Sequence, residues 1–181
     1  MRTAIVTDSN SGIFEAEGRE KDVFVIPMPV IIEGETFYEG ENITREELCG
    51  ALSAHKQAST SQPSPGDVIG MWERVFREGY DELVYIPMSS GLSSGCQNAQ
   101  MMAQDYDGRV EVVDDRRISI TLRHAVLDAL ALREQGYTAA EIKAKLEETA
   151  DDSIVYVGVS TLEYLLANGR VTPAGAALGL S

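Results

Sequence analysis

The stretch at residues 87–96 is rich in serine and glycine and reads Pro-Met-Ser-Ser-Gly-Leu-Ser-Ser-Gly-Cys. It follows an apolar run at 82–86 that is typical of a buried strand, and it precedes a run at 92–105 that is typical of a helix. A turn between a strand and a helix presents backbone N–H groups and hydroxyls at the positive end of the helix dipole. We therefore predict that this turn binds a small anionic group, either a phosphate, a sulfate or a carboxylate.

A second turn at residues 59–65 reads Ser-Thr-Ser-Gln-Pro-Ser-Pro and also opens a predicted helix. We expect the two turns to face one another across the anion site. The hydroxyls of Thr60, Ser61 and Ser93 can donate hydrogen bonds to a carboxylate, a role that requires no activated base. The alternative interpretation is that these serines and glycines are present only because turns require them.

Other residues with chemical potential lack a recognisable partner. His55 and His124 have no spacing that indicates a catalytic base. Asp8 ends the first predicted strand, where an Asx turn is the interpretation we favour over a phosphoryl-accepting or metal-binding role. Asp114 and Asp115 could chelate Mg²⁺, but we favour a role in ending a strand and capping the next helix. Neither a nucleophile elbow nor a Walker-type phosphate loop occurs in the sequence, and we expect no metal and no cofactor.

The bulk composition excludes several classes of partner. The chain has 181 residues and a formal net charge of −14, which argues against binding to nucleic acid and to anionic lipid surfaces. Cys49 and Cys96 have no metal-ligand spacing, as expected of reduced packing thiols. The N-terminus lacks the apolar core of a secretory signal, and no apolar run is long enough for a membrane helix. We expect a cytoplasmic protein with no stable membrane insertion.

Hydrophobic periodicity predicts an α/β protein. The predicted strands cover residues 3–6, 22–26, 82–86, 109–113 and 154–159, with a small β-hairpin near 30–38. The predicted helices cover residues 13–19, 44–53, 64–79, 92–105, 118–135, 138–150, 161–168 and 172–181, and residues 54–63 are predicted to be a loop. Strands alternate with helices from Gly66 onward, which indicates a three-layer α/β/α fold with a mostly parallel sheet. Ligands of such folds bind at the carboxyl edge of the sheet, where the turns at 7–12, 87–95 and 159–161 converge.

Five short motifs resemble those of the DegV family of bacterial fatty-acid-binding proteins, and they occur in the family's order over essentially the whole chain. They are Ala-Ile-Val-Thr-Asp-Ser at 4–9, Thr-Ser-Gln-Pro-Ser-Pro-Gly at 60–66, Ser-Ser-Gly-Leu-Ser at 89–93, Thr-Leu-Glu-Tyr-Leu at 161–165 and Asn-Gly-Arg-Val at 168–171. Each motif is weak alone, but five in order are specific. The chain departs from the family at residues 94–96, where Ser-Gly-Cys replaces the common Gly-Thr-Tyr.

The resemblance implies that the protein binds one long-chain fatty acid in a tunnel. It implies that the hydroxyls of Thr60 and Ser93 and the backbone N–H groups near Leu92 and Ser93 hold the carboxylate, while Arg170 lies near the head group or contacts a partner. The implied fatty-acid-binding residues are Thr60, Ser61, Ser90, Gly91, Leu92, Ser93 and Arg170. The protein would be a non-catalytic carrier without a cofactor that presents the fatty acid to an ATP-dependent fatty acid kinase, which forms acyl phosphate.

The resemblance also implies a domain organisation. Residues 1–168 correspond to the family's N-terminal α/β lipid-binding domain, and residues 169–181 begin the segment that leads to a second domain missing from this sequence. The chain is then either a truncation or a natural short form, and an exposed apolar half-groove would favour a homo-oligomer. Two other functions stay open at this point: a small-molecule phosphoryl- or acyl-transfer enzyme that uses Asp8 and Thr60, and a ligand-free protein-interaction half-domain.

Overall fold

The computed structural model describes residues 1–156, 158–159 and 161–169. The strands are β1 (Thr3–Asp8), β2 (Val23–Ile26), β3 (Pro29–Ile32), β4 (Glu35–Tyr38), β5 (Ala58–Thr60), β6 (Glu82–Ile86) and β7 (Val110–Val112). The α-helices are α1 (Glu15–Lys21), α2 (Arg45–Ser53), α3 (Pro65–Arg77), α4 (Gly95–Ala103), α5 (Ile120–Glu134), α6 (Ala139–Glu148) and α7 (Glu163–Ala167).

The chain divides into two compact units. The large unit comprises Met1–Met28 and Gln62–Val155. The small unit comprises Pro29–Ser61 and Tyr156–Ser181, of which residues 157, 160 and 170–181 lie outside the described part. The predicted domain boundary at residue 168 and the predicted helix at 172–181 therefore stay predictions.

The large unit is built on a four-stranded sheet in the order β2-β1-β6-β7, with every neighbouring pair parallel. The central strands β1 and β6 are buried along their whole length, as expected when both faces of a parallel sheet are covered. β2 lies at an edge of the sheet, and Pro27 and Pro29, which have no backbone N–H to donate, follow it.

Helices cover both faces of this sheet. Alternate strand residues enter two separate cores, so that Val6 packs with Trp72 of α3 while Ile5 packs with Leu122 of α5 and Ile142 of α6. The predicted three-layer α/β/α fold is thereby confirmed for the large unit. Its layers place the ends of β1, β6 and β7 along one carboxyl edge.

The small unit contains an antiparallel sheet in the order β4-β3-β5, and the predicted hairpin is formed by β3 and β4. Val30, Ile32 and Ile43 form its core. The prediction that residues 54–63 are entirely loop is wrong, because β5 pairs with β3 and places Thr60 opposite Val30. The sequence Ala-Ser-Thr of β5 has no apolar alternation, so only its partner strand specifies it.

Two further predictions about elements require correction. The helix predicted from residue 92 begins at Gly95, because the N–H groups of Leu92 and Ser93 instead donate to the Ser89 carbonyl oxygen in a turn. The strand predicted at 154–159 is absent from its described residues, where Ile154 and Tyr156 are 73% and 90% exposed. Apolar content alone predicted this strand, but a strand also needs a hydrogen-bonded neighbour.

Candidate functional site

Asp8 joins the turn at residues 7–12 to the Ser/Gly turn at residues 87–95, at the carboxyl edge of the large unit. One carboxylate oxygen of Asp8 accepts the N–H of Asn10 at 3.0 Å, and the other accepts the N–H of Met88 at 2.8 Å. The side chain caps a short 3₁₀ turn at Ser9–Ser11, and Asp8 is only 2% exposed. The favoured interpretation of Asp8 as an Asx turn is confirmed, and its buried, hydrogen-bonded oxygens are unlike those of a reactive nucleophile. The convergence of the turns at 7–12 and 87–95 is also confirmed.

The Ser/Gly turn folds around Ser89, which is buried. The Ser89 N–H donates to the carbonyl oxygen of Arg117 at 3.0 Å, and its hydroxyl oxygen accepts the N–H of Gly91 at 3.2 Å. The Ser89 carbonyl oxygen accepts the N–H groups of Leu92 at 3.0 Å and Ser93 at 3.2 Å. Both N–H groups thus close the turn, and the expectation that they meet the ligand carboxylate stays a prediction.

The hydroxyl of Ser93 lies at the start of α4. Its oxygen accepts the N–H of Gly95 at 3.1 Å, and a hydroxyl in this role can still donate its own hydrogen. Ser90 and Ser93 are half-buried, while Gly91 and Leu92 are exposed. The turn can therefore offer hydroxyl hydrogens to an anion, although the N–H groups of residues 88–93 and of Gly95 already have acceptors within the large unit.

Gln62, from the turn at residues 59–65, contacts the start of α4 directly after the Ser/Gly turn. Its side-chain oxygen accepts hydrogen bonds from the Ser94 hydroxyl at 3.1 Å and from the Asn98 amide at 3.0 Å. A side chain at Gly95 would begin with a Cβ only 3.3 Å from the Ser93 hydroxyl oxygen and 3.5 Å from the Gln62 Cβ, so glycine permits this close approach. Sequence analysis did not single out Gln62 or Asn98, although Gln62 lies inside the Thr-Ser-Gln-Pro motif.

Thr60 and Ser61 belong to the small unit. Thr60 is the last residue of β5, and the N–H of Ser61 donates to the Pro29 carbonyl oxygen at 3.3 Å. Both residues are exposed. That their hydroxyls face Ser93 stays a prediction, and Arg170 lies outside the described residues.

Asp114 and Asp115 follow β7 and fix the backbone beside the Ser/Gly turn. Asp114 accepts the Ser90 N–H at 3.3 Å, and Asp115 accepts the Arg117 N–H at 3.1 Å. Burial raises the pKa of Asp115 to about 6. The two aspartates end the strand as predicted, but the expectation that they cap the next helix is wrong, because the residue before α5 is Ser119 and it makes no side-chain cap.

The remaining candidate groups show no catalytic arrangement. His55 and His124 are exposed, and burial raises the pKa of the Cys96 thiol to about 12, which makes it a poor nucleophile. Among residues 1–156, 158–159 and 161–169, no three His, Cys, Asp or Glu side chains are grouped closely enough to hold a metal ion. None of the helices in that part of the chain has the length and apolar character needed to cross a membrane.

Comparison with known proteins identifies relatives along the whole sequence. Residues 2–181 match the family described as "Uncharacterised protein, DegV family". A DegV domain-containing protein of Staphylococcus aureus is 30% identical over 175 residues, which is 97% of this chain and 62% of that protein.

Two solved structures share the fold. A fatty-acid-binding DegV family protein from Thermus thermophilus has a TM-score of 0.86 and 34% identity, and one from Streptococcus agalactiae has a TM-score of 0.82 and 26% identity. Each match covers 99% of this chain and 64% of the other. The chain thus spans a little under two thirds of the length of these relatives.

Proposed function

The chain belongs to the DegV family, and on this premise we propose that it binds one long-chain fatty acid as a non-catalytic carrier. The relatives from Thermus thermophilus and Streptococcus agalactiae are both described as fatty-acid-binding proteins, which supports the same class of ligand here. The hydroxyl-rich carboxyl edge of the large unit suits a carboxylate, and the acyl chain would extend away from it.

The hydrogen bonds of Gln62 carry this proposal. Because Gln62 bonds Ser94 and Asn98, the chain directly after Thr60 and Ser61 is fixed beside the start of α4. We propose that the hydroxyls of Thr60 and Ser93 donate to the two carboxylate oxygens of one fatty acid, with Ser61, Ser90 and Gly91 beside them.

Burial of the acyl chain would supply most of the binding free energy. At roughly 0.8 kcal/mol for each buried CH₂ group, a chain of palmitate length gains on the order of 10 kcal/mol before the cost of ordering. Leu92 is 44% exposed in the turn next to Ser93, and it offers apolar surface for the first methylene groups. The hydroxyls would then select the head group and set its orientation.

A pocket in the small unit is a less suitable place for the carboxylate. It measures about 260 Å³ and has an apolar lining that includes Ile32, Phe37 and Ile43. Glu33, Glu35 and Glu47 also line it, against a single lysine, Lys56. Their negative charge would repel a fatty-acid head group, so electrostatics favours the Ser/Gly turn.

The bound fatty acid would be presented to an ATP-dependent fatty acid kinase in the cytoplasm. A carboxylate oxygen of the fatty acid would attack the γ-phosphorus of ATP, and ADP would leave as acyl phosphate forms. In this scheme the present chain supplies no nucleotide site, and Arg170 either lies near the head group or contacts the kinase.

Native mass spectrometry tests the carrier proposal directly. The chain is purified, stripped of lipid, and incubated with hexadecanoic acid or with hexadecanol as a matched probe that lacks the carboxylate. We expect one hexadecanoate per chain and much weaker retention of the alcohol. Equal retention of both probes, or retention of neither, would contradict the proposal.

A further inference from the structure

The segment of residues 114–119 lies between β7 and α5, and we refer to it as the β7–α5 segment. It forms hydrogen bonds with the backbone of the Ser/Gly turn and of the turn at residues 7–12. The Arg117 carbonyl oxygen accepts the Ser89 N–H at 3.0 Å, and the Asp114 carboxylate accepts the Ser90 N–H at 3.3 Å. At the other end, the Ser119 N–H donates to the Asn10 carbonyl oxygen at 3.0 Å. The position of the Ser/Gly turn therefore depends on the conformation of this segment.

Asp115 fixes that conformation through Arg117. Its Oδ1 accepts the Arg117 N–H at 3.1 Å, which closes an Asx turn and fixes the peptide between Arg116 and Arg117. The Arg117 guanidinium donates to the carbonyl oxygen of Thr149 at 3.1 Å and to its hydroxyl at 3.2 Å. Arg117 is thus held at its backbone by Asp115 and at its side chain by the residue that follows α6.

Two features of the β7–α5 segment are expected to lower the stability of the fold: buried charged atoms without hydrogen bonds, and positive φ values. Asp115 and Arg117 are 1% and 8% exposed, and Asp115 Oδ2 lies 4.0 Å from Arg117 Nε, where neither atom makes a hydrogen bond to any described residue. Arg116 and Ser119 adopt positive φ values of 56° and 55°, which is unfavourable for residues other than glycine. Buried charge and backbone strain concentrated in one segment are typical of a functional site.

We propose that Asp115 is a positioning residue for the fatty-acid head group. By accepting the Arg117 N–H it holds the peptide that enters Arg117, and thereby the Arg117 Cα from which the next peptide presents its carbonyl oxygen to Ser89. The bond between that carbonyl oxygen and the Ser89 N–H in turn places the Ser89–Ser93 turn that carries the Ser93 hydroxyl. The role requires a hydrogen-bond acceptor at Oδ1 and does not require a charge. The effect on ligand affinity rests on the function proposed above, whereas the effect on the turn does not.

Amide NMR of the whole chain, with hexadecanoate titrated in parallel, tests this proposal. In Asp115→Ala we expect the Ser89 and Ser90 amide signals to shift, the Ser89 N–H to exchange at least about tenfold faster, and hexadecanoate affinity to fall about tenfold. Asp115→Asn keeps an acceptor oxygen and should restore all three readouts. Asp151→Ala removes only the exposed ion pair to Arg116 and serves as the matched control, with no change expected.

The possible outcomes separate the two proposals. Unchanged Ser89 and Ser90 signals in Asp115→Ala, or an Asp115→Asn variant as impaired as Asp115→Ala, would overturn the positioning role. Amide signals that follow the expected pattern in a chain that binds no hexadecanoate would support the positioning role and overturn the proposed function. If Asp115→Ala does not fold, Thr149→Val, which removes one acceptor from Arg117, must shift the Ser89 amide signal away from its position in the natural chain, or the role is rejected.

Discussion

The two edges of the large unit's sheet are built from different kinds of contact. At the amino edge, the buried Glu82 carboxylate accepts the Thr3 hydroxyl at 2.6 Å and the Ala139 N–H at 2.9 Å. Nearby, Asp22 accepts the Tyr80 hydroxyl at 2.7 Å and pairs with Arg133 at 2.9 Å. These contacts join strands to helices with short hydrogen bonds.

At the carboxyl edge, buried polar atoms are less completely paired. Asp115 Oδ2 and Arg117 Nε lack hydrogen bonds among the described residues, and two residues of the β7–α5 segment have positive φ. From this difference we infer that the contacts of the amino edge stabilise the fold, whereas the conformation of the carboxyl edge lowers stability and serves the function of the site. The predictions below test this division, starting with the largest expected effect.

Glu82→Ala should destabilise the fold by about 3 kcal/mol, because it leaves the buried Thr3 hydroxyl and Ala139 N–H without an acceptor. Urea denaturation measures this loss. Glu82→Gln is the matched control and should lose less, since its amide oxygen can still accept. A change in hexadecanoate affinity of the folded Glu82→Gln variant would contradict the claim that the amino edge serves stability alone.

Asp115→Asn should remove a pH-dependent contribution to stability. Burial raises the Asp115 pKa from 3.8 to about 6, which means that the folded chain favours the protonated carboxyl group. This contribution to stability is fully present below pH 3.8 and is lost as the pH rises through about 6. The loss is worth up to about 3 kcal/mol. Relative to the natural chain, Asp115→Asn should therefore gain stability between pH 4 and pH 7. A difference in unfolding free energy that stays constant over this range would show that no buried charge is held there.

Ser119→Gly should stabilise the fold by about 1 kcal/mol, the smallest effect of the series. Ser119 has φ 55° and ψ −130°, a region that glycine occupies without a steric penalty. Thermal denaturation measures the change, and Ala144→Gly in the exposed middle of α6 is the control, expected to lose about 1 kcal/mol. A Ser119→Gly variant that is destabilised as much as Ala144→Gly would show that this backbone is not strained.

Local signals predicted the elements of the fold well. The helices predicted from residues 44, 64 and 138 form, and local caps begin each of them. Thr44 and Thr138 form capping boxes, and Ser64 caps α3 with Pro65 in the first helical position. In each case the deciding contacts lie within three residues of one another. β5 was missed because its pairing with β3 joins residues far apart in the sequence, and no local pattern encodes it.

The candidate site was predictable only in part. Residue types indicated hydroxyl donors at the Ser/Gly turn and an Asx turn at Asp8. Residue spacing does not specify backbone and side-chain geometry. It therefore could not predict that the Leu92 and Ser93 N–H groups close the turn, or that Gln62 bonds Ser94 and Asn98. The same holds for Asp115, whose effect on Ser89 passes through Arg117.

The ratio of hexadecanoate affinity to hexadecanol affinity tests the central claim most directly, because effects on the acyl chain cancel in it. The ratio should fall about tenfold or more in Ser93→Ala and in Thr60→Val, since each loses a hydrogen bond to a charged group. Ser53→Ala, which removes an exposed hydroxyl at the end of α2, is the control and should keep a ratio close to that of the natural chain. A ratio that is the same in all four proteins would contradict the claim that Thr60 and Ser93 hold the carboxylate.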